Sequence, residues 1–148
     1  CGLGNMLEYL DSRGIDVDYT GVDILEEMVS RAKSKKLNGN FYCVDVFKFH
    51  SFKNEEFDVI YASGIFNINL GNNREFLSYA LNKLLDISRH IVVFNLLHQN
   101  SPDREDRYYY FSPGDVKKIV EQLPHSIKKV KIIQDYLEND FTVIIERE

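Results

Sequence analysis

The stretch CGLGNMLEYLDSRGIDVDYTGVDI, residues 1–24, decides the fold. It opens on a glycine-rich turn, Cys1 to Asn5, and passes into a segment from Asn5 to about Arg13 whose apolar Met6, Leu7 and Leu10 recur at helical spacing. Gly14 follows, the residue type that most easily takes the left-handed conformation ending a helix. Asp18 to Asp23 then reads as a short buried strand. A glycine turn belongs after a strand, and the chain starts on Cys1 rather than Met, so the sequence is expected to lack a first strand and the residues before it.

The alternation continues outward from this stretch. Ile24 to Lys36 places Leu25, Met28, Val29 and Ala32 on one helical face, and ends before Asn38 and Gly39. Asn40 to Val46 and Phe57 to Ala62 are rich in aromatic and β-branched residues and read as core strands. Arg74 to Leu85 has helical spacing, and His90 to Leu97 is a nearly continuous apolar strand of the kind covered on both faces. After the polar segment His98 to Arg107, a candidate lid, Ser112 and Pro113 supply an N-cap and a first-turn proline for a helix to about Leu123. Ile127 to Tyr136 and Phe141 to Glu146 are expected to pair antiparallel at the sheet edge. The pattern predicts one α/β domain over 1–148, with a doubly wound, mostly parallel sheet and helices on both faces. Its ligands would bind beyond the carboxyl ends of the strands.

Composition narrows the function. The 148 residues carry 18 basic and 23 acidic side chains, a formal charge of −5 with the basic residues spread out, which argues against nucleic acid as the main partner. Two cysteines are too few for a disulfide framework, and no apolar run approaches membrane-spanning length, so the default location is the cytoplasm. No His or Cys cluster has metal-ligand spacing, and neither a phosphate-binding G-x-x-x-x-G-K-S/T loop nor a G-x-S-x-G elbow occurs.

The spacing of the glycine turn, Asp23 and Asp45 suggests an adenosine site. Gly2 and Gly4 let the backbone approach a ligand where helix-terminal amides favour an anionic group. Nineteen positions after Gly4, at the end of the next strand, Asp23 is placed to accept hydrogen bonds from both hydroxyls of a ribose. Asp45, ending the following strand, can accept from an exocyclic amine while Val46 and Phe47 pack on a purine. Each residue singly also fits a plain turn or cap.

The order C-G-x-G at residues 1–4, GVD at 21–23, VDV at 44–46 and FDVIYASG at 57–64 resembles the class I S-adenosylmethionine-dependent methyltransferases over nearly the whole chain. The resemblance implies a Rossmann-like methyltransferase domain with S-adenosylmethionine as cofactor. Cys1, Gly2 and Gly4 would border its methionine part, Asp23 with Ile24 its ribose, Asp45 with Val46 its adenine, and Ser63 and Gly64 would lie beneath its methyl group. A dinucleotide-binding oxidoreductase using NAD also explains Gly2, Gly4 and Asp23, but its pattern wants a small residue where this chain has Leu7. A non-catalytic scaffold that keeps the fold is the third reading.

Displacement at a sulfonium methyl is helped mainly by holding the nucleophile close in a desolvated pocket, so no catalytic triad is required. Asn67, in SGIFN after the fourth strand, could orient an acceptor through its amide, and His98, after the fifth, could take a proton. Tyr108 and Tyr110 could line an acceptor pocket. The N/D-P-P-Y/F motif of certain amino-group methyltransferases is not matched. The expected acceptor is an oxygen or nitrogen of a small molecule or glycan precursor.

Overall fold

The structure, a computed structural model, describes residues 1–48 and 52–148. The chain divides into two compact units, 1–51 and 52–148.

The first unit holds α1 (Asn5–Ser12), β1 (Thr20–Asp23), α2 (Glu26–Ser34) and β2 (Asn40–Cys43). β1 and β2 pair in parallel, with Thr20 opposite Asn40 and Asp23 opposite Cys43. A parallel pair needs a crossover, and α2 supplies it. Leu7 of α1, Val29 and Ala32 of α2 and Phe41 of β2 form the buried core, with Cys1, Tyr19 and Leu37 packed against it. Helix α1 ends as its sequence predicts. Gly14 sits at φ +65°, its N–H bonds Asp11 O, and Ile15 N–H reaches back to Leu10 O, which satisfies carbonyls the helix leaves open.

Gly4 is required twice over. Its φ is +75°, and a Cβ there would lie 3.3 Å from Ala32 Cβ and 3.5 Å from Phe41 Cε1. Gly4→Ala is therefore expected to cost about 2 kcal/mol, from left-handed strain and crowding together. Thermal unfolding of the variant should show a midpoint lower by roughly 4–8 °C. An unchanged midpoint would mean that α2 moves away at no cost.

The second unit holds β3 (Phe57–Ala62), α3 (Asn73–Ile87), β4 (Ser88–Leu97), α4 (Pro113–Glu121), β5 (Ile127–Ile133) and β6 (Asp140–Arg147). The strand order is β3-β4-β6-β5. β3 and β4 are parallel, whereas β6 is antiparallel to both of its neighbours. The expected terminal antiparallel pair is present, but its later strand lies inside the sheet, so this sheet is mixed rather than mostly parallel.

Its core follows from alternation. Val92, Phe94 and Leu96 of β4 and Phe141, Val143 and Ile145 of β6 are fully buried on one face. Helix α3 packs on β4 and on α4, contributing Leu77, Ala80, Leu81, Leu84 and Leu85, while α4 contributes Val116, Ile119 and Val120. Phe66 meets Phe94 edge to face, ring centroids 5.9 Å apart, and so fixes the chain just after β3 to the core. On the other face Ile91, Val93 and Asn95 are only half-buried, so the apolar run of β4 is not covered equally on both sides within this unit. Ser112 stands at the N-cap of α4 with Pro113 following, yet its hydroxyl makes no capping bond. Among the described residues no helix is long and apolar enough to cross a membrane.

Candidate functional site

In the first unit the predicted cofactor residues converge on the carboxyl ends of β1 and β2. The glycine turn folds over the end of β1. Gly2 N–H donates to Asp23 Oδ2 at 2.8 Å, Leu25 N–H donates to Oδ1 at 3.1 Å, and the Cys1 amino group lies 3.2 Å from Oδ2. The Cys1 amino group also donates to Val22 O. Partial burial alone would raise the Asp23 pKa, but the bonds from the N–H groups of Leu25 and Gly2 oppose it, and the carboxyl lies below its ordinary range. Asp23 is thus an ionised acceptor at neutral pH. Oδ2 takes the Gly2 and Cys1 nitrogens, while Oδ1 takes Leu25 N–H and keeps lone-pair capacity for a further donor.

Gly2, at φ +52°, has open space where a Cβ would be among the described residues. Ile24 beside Asp23 is exposed. Asp45 does not end its strand as expected. β2 stops at Cys43, and Asp45 Oδ1 instead accepts Phe47 N–H at 3.1 Å, a side-chain turn that redirects the chain, with Lys48 Nζ 3.4 Å from Oδ2. Val46 is half-buried beside it.

In the second unit Ser63 and Gly64 follow β3 and are exposed, with Gly64 at φ +73°. A pocket of about 470 Å³ opens at the carboxyl ends of β3 and β4, lined by Gly64, Asn67, Ile68, Leu97, Tyr108 and Tyr110 together with Ser101, Asp103, Glu105 and Asn139. Asn67, Tyr108 and Tyr110 are thereby brought together. Asn67 O accepts Tyr109 N–H at 2.9 Å, while its side-chain Oδ1 is buried with no hydrogen-bond partner among the described residues. Tyr110 Oη accepts Glu105 N–H at 2.9 Å, and the Arg104 and Arg107 guanidinium groups lie over the Tyr110 and Tyr108 rings.

His98 is not among the lining residues. Its Nδ1 accepts Asn100 N–H at 3.0 Å, which leaves the proton on Nε2, 3.2 Å from Gln134 Oε1. Both ring nitrogens are engaged in the structure. The expected lid, 98–107, is bonded at both ends, Gln99 N–H to Phe111 O and Asn69 N–H to Arg107 O. Among the described residues no group of three His, Cys, Asp or Glu side chains is placed to hold a metal ion.

The sequence reading missed three residues that shape this end of the second unit. Asn73, buried in α3, donates to Ile68 O and accepts Leu70 N–H, pinning the loop between them. Asn95 Oδ1 accepts Gly64 N–H at 2.8 Å, and Asn95 Nδ2 donates to Asp140 Oδ2 at 2.7 Å. The available signal was a lone amide in the apolar run HIVVFNLL.

Residues 1–86 match the family described as a methyltransferase domain. A Mycobacterium tuberculosis protein named as a methyltransferase, Rv1506c, is 31% identical over 156 aligned residues, covering 99% of this chain and 89% of that one. Two solved structures share the fold at low identity. An S-adenosylmethionine-dependent methyltransferase from Archaeoglobus fulgidus has a TM-score of 0.76 at 19% identity, over 99% of this chain and 83% of the other. Magnesium protoporphyrin IX methyltransferase from Synechocystis, solved with bound S-adenosylhomocysteine, has a TM-score of 0.73 at 17% identity, over 100% and 71%.

Proposed function

The chain belongs to the class I S-adenosylmethionine-dependent methyltransferases, and from that premise we propose how its residues divide the work and what kind of acceptor it takes. The cofactor supplies an electrophilic methyl group on sulfonium. In our reading Cys1, Gly2 and Gly4 border its methionine part, Asp23 accepts both ribose hydroxyls beside Ile24, and Asp45 with Val46 holds the adenine. The ionised Asp23 and the open space at Gly2 support that fit. Ser63 and Gly64 would lie at the methyl group.

The acceptor is an oxygen or nitrogen of a small molecule or a glycan precursor. One observation carries this proposal: the pocket of about 470 Å³, of a size suited to a small ligand, with Asn67 and two tyrosines in its wall. Asn67 would orient the acceptor through its amide, and Tyr108 and Tyr110 would bound it. His98, directly after β4, would be the group to take a proton where the acceptor carries one, its ring oriented by Asn100 N–H and Gln134. Displacement at a methyl group by a positioned nucleophile draws its rate from proximity and exclusion of water, so such a wall suffices.

The dinucleotide reading is not favoured. Position 7, where a pyrophosphate fold wants a small residue, is filled by Leu7, fully buried against α2 and β2. We also propose that residues 1–148 form one doubly wound cofactor-binding domain; the match of single solved chains over 99–100% of its length supports this.

Transfer of labelled methyl from S-adenosylmethionine into the small-molecule and macromolecular fractions of a cell extract tests the acceptor. Label is expected in the small-molecule fraction, and Tyr108→Ala should lower its rate of appearance about tenfold with S-adenosylhomocysteine affinity unchanged. Label confined to protein or nucleic acid would overturn the small-acceptor reading.

A further inference from the structure

We propose that Asn95 and Asp140 are positioning residues for the turn at Ser63–Gly64: the Asp140 carboxylate fixes the sense of the Asn95 amide, and that amide in turn holds the Gly64 N–H. The inference rests on the reading of the pocket as the acceptor site, because Gly64 lies in its wall.

The argument is one of donors and acceptors. Gly64 presents a backbone N–H, which only donates, so the atom of Asn95 at 2.8 Å from it must be the amide oxygen. The amide nitrogen then points the other way, to a group 2.7 Å distant that must accept. A carboxylate accepts at both oxygens and cannot present the wrong polarity, whereas an amide in its place can turn either way. Asp140 is therefore the end of the chain that sets its direction. Its second oxygen accepts Phe141 N–H at 3.0 Å. The two side chains lie on the half-buried face of the sheet, on adjacent antiparallel strands, with Leu97 opposite Asp140 and Asn95 opposite Thr142. Burial raises the Asp140 pKa, opposed by its bonds from Asn95 and Phe141, as expected for a carboxylate held in place rather than left in solvent.

Gly64 needs such a hold. Its φ of +73° belongs to a conformation glycine shares among several alternatives, and a Cβ at this position would meet nothing within 4 Å, so packing does not confine the turn. A single side-chain bond to the N–H does. If the amide were free to reverse, its NH2 would face the Gly64 N–H, donor against donor, and the turn would be released.

The polarity argument defines the test. Asp140→Asn leaves two amides with no fixed sense, and Asn95→Asp sets two carboxylates side by side. The double exchange, Asn95→Asp with Asp140→Asn, restores an unambiguous order: Gly64 N–H to the carboxylate at 95, the amide NH2 at 140 to that same carboxylate, and Phe141 N–H to the amide oxygen at 140. In the full chain labelled with nitrogen-15, the Gly64 amide is expected to exchange with solvent about tenfold faster in each single variant and to recover to within about twofold in the double variant, the gain being the loss and return of one hydrogen bond. Labelled-methyl transfer to the small-molecule extract should fall about tenfold in each single variant, with KM for S-adenosylmethionine near wild type, and should recover in the double variant. A Gly64 amide that is indifferent to Asp140→Asn, or a double variant no better than the singles, overturns the proposal. The amide measurement needs no acceptor, so it fails or succeeds separately from the acceptor reading, which the Tyr108→Ala assay decides.

Discussion

Asp23→Ala is expected to weaken S-adenosylhomocysteine binding by on the order of 100-fold, since the two ribose hydroxyl bonds proposed for this ionised acceptor would contribute about 3 kcal/mol together. The substitution also strips Gly2 and Leu25 N–H of their shared partner, so the glycine turn loses its anchor along with the ligand. Calorimetry of wild type and variant, with NAD in parallel, measures this directly. Wild-type binding of NAD in place of S-adenosylhomocysteine would contradict the assignment of the site. The acid limb carries a sign. Because the folded Asp23 pKa lies below its ordinary 3.8, the stabilisation from its bonds is fully present above 3.8 and is lost as pH falls through the lower folded value. Asp23 should therefore remain an effective acceptor throughout mildly acid solution, and a fall in affinity near pH 6 would have to come from another group.

The second large effect is on stability. Phe94 is wholly buried, and its ring meets that of Phe66. Phe94→Ala is expected to cost about 3–5 kcal/mol, from lost transfer energy and the cavity left behind. That is a large share of the 5–15 kcal/mol typical of a domain. Denaturant unfolding should show the midpoint shift with little change in slope. The same substitution removes the floor under Phe66, so the Ser63–Asn67 segment should become more exposed to proteolysis even where the fold survives. A loss below about 1 kcal/mol would mean that the neighbours collapse into the space.

The sequence showed where its pattern is strong. Leu77, Ala80, Leu81, Leu84 and Leu85 recur at helical spacing and do bury one face of α3, and Gly14 does end α1. The order of glycine turn and strand-end acids led to the family. It could not show that β6 enters between β4 and β5, because both terminal segments alternate alike and pairing partners leave no local trace. Asp45 was placed at a strand end since nothing in FYCVDVF betrays the side-chain turn at Asp45, which takes over from the ladder. His98 reads as a base because its position follows a strand, while its two hydrogen bonds arise from Asn100 and from Gln134, which is far off in sequence. Asn95 and Asp140 escaped notice for the same reason, being 45 positions apart.

Strand β6 has a consequence for the order of events during synthesis. It is the last strand of its sheet to be made, yet β4 and β5 both hydrogen-bond to it. Among the described residues, until 140–147 have left the ribosome β4 has β3 alone beside it and β5 has no strand to pair with. The apolar face of Val92, Phe94 and Leu96 therefore waits half-assembled while the rest of the unit is already in solution. Pairing of β4 with β6 spans a long stretch of chain and is slow to form, so the edge of β4 stays open until β6 arrives.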